Sequence, residues 1–275
     1  LPTLSDNEVH KVLIGFIRNW RRRGIIKHSA ITDAQWSRAF TKLPLLTGLS
    51  SDEKRRLQEL SILLLHYKSF EPVQGLILTQ EMVMHIALQA CLPILNLGIQ
   101  AYDGWISVIV YPDEFMPRRQ YIDDAGVMHE DYATLTGEAW QRGPVILCWQ
   151  DAKIAGELDG HNLLIHEFAH KLDMQNGVAN GLPPLHQGMS RQAWTKAFSQ
   201  AFKQLQHHCH GRHYNGIDCY AATSPAEFFA VLSEVFFERP EVVKQHYPEV
   251  YQQLCLYYRQ DTLKRLTTAK GDRFI

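Results

Sequence analysis

The chain has 275 residues, 45% of them hydrophobic and 21% charged, with a formal net charge of −1 at pH 7. Wholesale disorder, collagen-like repeats and low-complexity fibres are excluded by that composition, and a chain this long buries a core without disulfides. The balance of 28 basic against 29 acidic residues argues against direct nucleic-acid binding and against a polybasic membrane binder.

The opening Leu1-Pro2-Thr3-Leu4-Ser5-Asp6 is not a signal peptide, and without an initiator Met the true start can lie further upstream. Val9, Leu13, Phe16, Ile17 and Trp20 recur at helical spacing. Arg18, Arg21, Arg22 and Arg23 surround Trp20 and read as cations at a helix C-terminus, with Gly24 as the stop. A second helix is expected from a cap at Ser50 or Ser51 through Leu65, and a third from Thr79 as cap into the nineties. Within Leu76–Leu97, Gln80, Glu81, His85 and Gln89 interrupt the apolar run, which reads as a buried helix and not a membrane span. Trp105–Tyr111 and Val145–Trp149 read as strands, and the remainder as helices near 160–175, 190–207 and 225–238 and onward. The expected architecture is α+β: a single domain over 1–275, mostly helical, with a small sheet packed against the helix described next. Residues 1–100 form its mainly helical N-terminal part and 101–275 its catalytic part.

The chemistry concentrates in Leu163–Asp173, which contains His166-Glu167-Phe168-Ala169-His170, an H-E-x-x-H motif. On a helix His166 and His170 lie about 40° apart and one turn apart, so both imidazoles reach one metal ion. Glu167 projects about 100° away, beside the metal, where a base can act on a metal-bound water. Ile165, Phe168, Ala169 and Leu172 fall on the opposite side as an apolar back, and Asn176-Gly177 supplies the stop. Chance gives about 0.04 such motifs in a chain of this composition.

A catalytic zinc needs a third protein ligand. The continuation H-E-x-x-H-x-x-G-x-x-H is absent, because Asp173 and Asn176 stand at its last two defined positions. No Glu occurs between Lys171 and Ala226, so Glu227 is the first candidate carboxylate downstream. It competes with another role: Ser224-Pro225-Ala226-Glu227 is also a capping box with Pro at the first helical position. Glu234, two turns on, is a weaker ligand candidate or a partner of a ligand, and Asp173 is a further possible acceptor for a histidine. His207, His208, His210 and His213 read as a solvated loop and not as a second metal site. The five cysteines (Cys91, Cys148, Cys209, Cys219 and Cys255) are odd in number, scattered and without C-x-x-C spacing. They are poor material for a disulfide framework and suggest a reducing compartment.

His166–Asp173, followed by Ala221–Glu234 and joined by Gly143–Leu147, resembles the Mlc titration factor A family of bacterial zinc metallopeptidases. The two motif segments are also similar to the protease domain of anthrax lethal factor. These resemblances imply His166, His170 and Glu227 as zinc ligands and Glu167 as the catalytic base. They also imply a catalytic tyrosine seven positions before the ligand Glu, which is Tyr220; Tyr214 is the nearest rival. The family further implies aminopeptidase-like cleavage of peptides, a cytoplasmic location, and binding of the glucose-responsive transcriptional repressor Mlc. No G-x-M-E-N segment for gripping a free amino terminus is present.

Overall fold

The computed structural model describes residues 6–113, 119–122, 128–131, 143–211 and 216–271. His213 and Tyr214 lie outside them. The described residues are mostly helical, with a small three-stranded sheet.

The N-terminal helices are α1 (Asp6–Lys27), α2 (Asp33–Thr41), α3 (Ser51–Tyr67) and α4 (Gln80–Cys91). Local signals set their starts. Ser50 and Thr79 accept hydrogen bonds from the backbone N–H of Glu53 and Met82, as their cap positions anticipate. Thr32 and Gln35 form a further capping box. Gly24 does not stop α1, which runs on to Lys27 because Ile25 and Ile26 are drawn against the core. The arginines therefore flank an interior turn of the helix, with Arg18, Arg21 and Arg23 exposed.

The sheet is parallel, in the order β1 (Ser69–Pro72), β2 (Ser107–Tyr111), β5 (Val145–Cys148). β2 and β5 fall inside the two expected strand runs, although Trp149 starts a short helix, α5 (Trp149–Ile154). β1 and the separate antiparallel pair β3 (Arg119–Ile122) and β4 (Met128–Asp131) were not expected. Val108, Val110, Val145 and Leu147 are buried at alternate positions, the period of a strand.

The sheet supports α6 (Leu163–Asp173), the helix carrying H-E-x-x-H, which packs on β5 and α4 and most extensively on α8 (Pro225–Glu238). Its apolar back is as expected: Ile165, Phe168, Ala169 and Leu172 are at most 1% exposed. Phe168 lies against Tyr102 and Trp105, with ring centroids 5.2 and 5.7 Å away. Truncating such a side chain costs about 3–5 kcal/mol. Lys171 Nζ donates to Gly143 O at 2.9 Å, tying α6 to the approach to β5. Gly177, with φ +141°, ends the 3₁₀ turn that follows α6.

The C-terminal layer is α7 (Arg191–His210), α8, α9 (Pro240–His246), α10 (Pro248–Tyr258) and α11 (Thr262–Gly271). Pro225, Pro240 and Pro248 each open a helix, where the missing N–H costs nothing. Phe228, Phe229, Phe236 and Phe237 make α8 apolar almost all round, and it is buried accordingly. Among the described residues no helix is long and apolar enough to cross a membrane.

Candidate metal centre

Two helices build the site. α6 begins at Asn162, whose Oδ1 accepts from the backbone N–H of Ile165 at 2.9 Å. That cap fixes the register that turns His166 and His170 toward α8. α8 begins at Ser224, whose Oγ accepts from Glu227 N at 3.1 Å. Only this half of the rival capping box forms. The Glu227 carboxylate turns away from its own helix end and toward the histidines.

His166 Nε2 and His170 Nε2 lie 3.0 and 3.3 Å from Glu227 Oε2 and 3.1 Å from one another. The three side chains are only 11%, 12% and 5% exposed. Among the described residues this is the one group of three or more His, Cys, Asp or Glu side chains that could hold a metal ion. His166 Nδ1 contacts Glu234 Oε1 at 2.7 Å. A carboxylate only accepts, so Nδ1 carries the hydrogen, and in the neutral ring Nε2 presents its lone pair to the cluster. Glu227 Oε2, though close to both imidazoles, is a buried acceptor without a well-directed hydrogen-bond donor. Two imidazole nitrogens and one carboxylate oxygen thus converge on one point, an arrangement that positive charge between them, carried by protons or by a metal cation, stabilises.

The electrostatics agree. Burial pulls the His166 imidazole down, but the Glu227 and Glu234 carboxylates outweigh it and raise its pKa to about 10. Burial alone would raise Glu227; the two imidazoles instead hold it at about 2. Carboxylate and histidine both favour having positive charge between them.

Glu234 is therefore the histidine's partner and not a member of the converging triad. It also accepts from the backbone N–H of Asn162 at 2.6 Å. Asn162 Nδ2 reaches Gln89 Oε1 and Glu238 Oε1, each at 2.8 Å. This buried chain behind the site was not expected, although an Asn immediately before an apolar helix is a readable cap signal. Asp173 has a different role from the one considered for it. Its Oδ2 accepts from the backbone N–H groups of Asn180 and Gly181, both at 2.7 Å. Gly181 has φ +76°, and a Cβ there would sit 2.5 Å from Pro225 O. Only glycine lets this segment cross so close to the start of α8.

Glu167 is half-buried on α6, next to His166. Burial lowers the Lys171 ammonium to about 8, and the Glu167 charge opposes part of that shift; the same charge adds a little to the raised values of His166 and Tyr220, behind larger causes. Tyr220 lies in a 3₁₀ turn, Cys219–Ala222, immediately before α8. The Asp218 side chain accepts from the Tyr220 backbone N–H at 2.9 Å. The Tyr220 ring stands 6.1 Å from the His166 ring, centroid to centroid, and is 48% exposed. Burial and the Glu227 and Glu167 charges push its phenol up to about 12, so it keeps its proton and can donate it in a hydrogen bond.

His207, His208 and His210 are exposed in the last turn of α7 rather than in a loop. His208 and His210 bond carbonyls four residues back. The cysteines depart from expectation. Cys209 and Cys219 form a disulfide, while Cys91, Cys148 and Cys255 are free. Spacing along the chain does not encode this pair; it results from the packing of the Tyr220 turn against the end of α7.

The model of a family described as glucose-regulated metallo-peptidase M90 matches residues 17–259. Proteins named Mlc titration factor A from Yersinia pestis (strain Pestoides F) and Yersinia pseudotuberculosis serotype O:3 (strain YPIII) are similar to the chain. Each is 42% identical over 236 residues, covering 85% of this chain and 87% of the relative.

Proposed function

The chain belongs to the glucose-regulated metallo-peptidase M90 family, and from that premise we propose that it is a zinc-dependent peptidase acting through His166, His170, Glu227, Glu167 and Tyr220. The observation that carries the reading is the convergence of His166 Nε2, His170 Nε2 and Glu227 Oε2 within 3.0–3.3 Å. A two-nitrogen, one-carboxylate set suits Zn²⁺ with a position left open. When bound, zinc supplies Lewis acidity, polarising a scissile carbonyl and acidifying a water.

The rest of the chemistry belongs to the protein's own side chains. Glu234 holds His166 in the tautomer that offers Nε2 to the metal. Glu167 takes the proton of the attacking water and passes it to the leaving amine. Tyr220, protonated at neutral pH, donates a hydrogen bond to the carbonyl oxygen as it gains charge. The substrate backbone lies along β5. Both edges of β2 are occupied by β1 and β5, whereas the outer edge of β5 has no strand partner among the described residues. An open edge next to α6 can hold an extended peptide by main-chain hydrogen bonds.

Two finer assignments rest on the relatives. Their name, Mlc titration factor A, supports a second activity for this chain, interaction with Mlc; that Mlc is a glucose-responsive repressor met in the cytoplasm is what the family resemblance implies. The family resemblance supports aminopeptidase-like cleavage. The test combines zinc analysis with digestion of a peptide library before and after chelation. About one zinc per chain is expected, with cleavage lost on chelation and restored by zinc. A zinc-loaded protein that cleaves nothing in the library would leave the repressor-binding role standing alone, and a zinc peak coordinated by Glu234 or Asp173 would overturn the ligand assignment.

A further inference from the structure

The Cys209–Cys219 disulfide joins the last turn of α7 to the first residue of the turn that carries Tyr220, with the two Cα atoms 5.7 Å apart. The covalent tie therefore sits one residue from the phenol. Non-covalent ties hold the rest of the turn. Ile217 and Ala221 are buried, Asp218 accepts from the Tyr220 backbone N–H, and Tyr220 O accepts from Thr223 N and Oγ1 at 3.0 and 2.7 Å. Cys219 and Tyr220 themselves are exposed and Cys209 is half-exposed, so on the solvent side of this turn the disulfide adds its restraint to the hydrogen bonds and to the packing of Ile217, Ala221 and Ala222 on the inner side. A small thiol can reach the disulfide.

We propose that Cys209–Cys219 is a thiol–disulfide exchange site whose state sets peptidase turnover through the placement of Tyr220; its co-reactant is a low-molecular-weight thiol–disulfide couple. The inference rests on the peptidase reading above. In the reducing direction an external thiolate attacks the Sγ of Cys219, the more exposed of the two residues. The S–S bond breaks, its electron pair stays on Cys209 Sγ, and that sulfur takes a proton. A second external thiol attacks the mixed disulfide, and Cys219 leaves as a thiolate and is protonated. The protein gains two electrons and two protons, and the two external thiols depart as their disulfide.

Opening the loop restores freedom to a donor that has to meet the carbonyl oxygen within a fraction of an ångström. No proposed zinc ligand is a cysteine, so the effect falls on kcat and not on metal content. In the oxidised form Tyr220 is held ready; in the reduced form it samples other positions.

The experiment equilibrates the full chain with reduced or with oxidised glutathione and removes the glutathione before assay. Alkylation and mass analysis report the state of Cys209 and Cys219; zinc content, kcat and KM are measured on the same preparations. Reduction should lower kcat about three- to tenfold, with KM and zinc unchanged and the loss reversed on reoxidation. The double variant C209S/C219S should show the reduced value in both buffers, and Tyr220→Phe should show one low value in both. Equal kcat in two states shown by alkylation to differ would overturn the proposal. So would two thiols that alkylate freely even in oxidised glutathione, or a redox response that survives in Tyr220→Phe. If Tyr220→Phe instead turned over like the wild type, the role of Tyr220 in the peptidase reading would fail first, and that result is separable from the others.

Discussion

Glu234 Oε1 lies 2.7 Å from His166 Nδ1, and that one contact decides which face of the imidazole is left for a metal. Because Glu234 also accepts from the Asn162 backbone N–H, the same carboxylate links the cap of α6 to the third turn of α8. The histidine's tautomer and the distance between the two helices are thus set together.

Removing Glu234 should therefore weaken zinc binding rather than abolish the fold. Partners of this kind contribute about 10- to 100-fold in metal affinity. Glu234→Ala is expected to lose that much in a competition titration against a chelator. Glu234→Gln should fall in between, since its amide oxygen still accepts from Nδ1 but its NH₂ meets the Asn162 N–H. An Ala variant that holds zinc as tightly as the wild type would show that the contact is incidental.

Tyr220→Phe deletes one hydroxyl from an exposed turn, so the fold and the zinc content should be unaffected. Loss of a single donor to a developing oxyanion costs about 2.7–4 kcal/mol, a fall of about 10²–10³ in kcat. KM should change little. Steady-state kinetics on zinc-matched preparations check this; a full-speed Phe variant would shift attention to Tyr214.

Much of this site was legible in the sequence because its determinants are local. A helical spacing of four positions brings His166 and His170 to one face, and Ser224-Pro225 announces the start of α8. Glu227 stood out as the first carboxylate downstream of the motif, and the family resemblance gave it the ligand role. What local pattern could not show is where its carboxylate points, since Ser224-x-x-Glu227 permits both a cap and a ligand. Most helices were anticipated where a cap residue preceded an apolar period, as at Ser50, Thr79 and Ser224; α2, despite its Thr32 cap, was not singled out. Gly24 was misread because the burial of Ile25 and Ile26, a tertiary effect, carries α1 past it. β1 left no signal: Ser69-Phe70-Glu71-Pro72 has one large apolar residue and a proline, and it is a strand only because β2 pairs with it. Asp173 and Glu234 were both plausible partners for a histidine. Only the packing of α6 against α8 separates them, giving Glu234 to His166 and Asp173 to the Gly181 backbone.

Glu238 gives a pH-dependent prediction away from the ligands. Burial pushes its carboxyl up from an ordinary 4.5 to about 7, although Asn162 and the Gly156 N–H partly offset this. An acid whose folded pKa is raised binds its proton more tightly when folded. It contributes stability at low pH that is lost as pH rises from about 4.5 to 7 and is absent above. Glu238→Gln removes the titration while keeping the acceptor oxygen for Gly156 and Asn162. The variant should melt higher than the wild type at pH 8, by about 1–3 kcal/mol of stability, and the advantage should shrink toward pH 5. Thermal unfolding at both values measures it. An advantage that grew toward pH 5 would mean that Glu238 is held as a carboxylate.

The last prediction separates cleavage from repressor binding. A stable protein–protein interface buries about 1,200–2,000 Å² in total, far more than His166, His170 and Glu227, with side chains only 11%, 12% and 5% exposed, can supply. Most of the partner's affinity must come from another surface. One candidate is α1, where Phe16 and Trp20 are each 69% exposed beside Arg21 and Arg23, a combination of aromatic and arginine anchors that interfaces favour. Glu167→Gln keeps the size of the side chain and removes the base. It should lower kcat by about 10²–10⁴ with zinc retained, yet bind the Mlc repressor within about threefold of the wild type. Trp20→Ala should do the reverse, weakening the complex while leaving peptide turnover in place. Calorimetry and peptide turnover on the same preparations decide it: if Glu167→Gln, with its zinc intact, lost the repressor as completely as it lost turnover, the partner would have to enter the cleft and the two activities would share one surface.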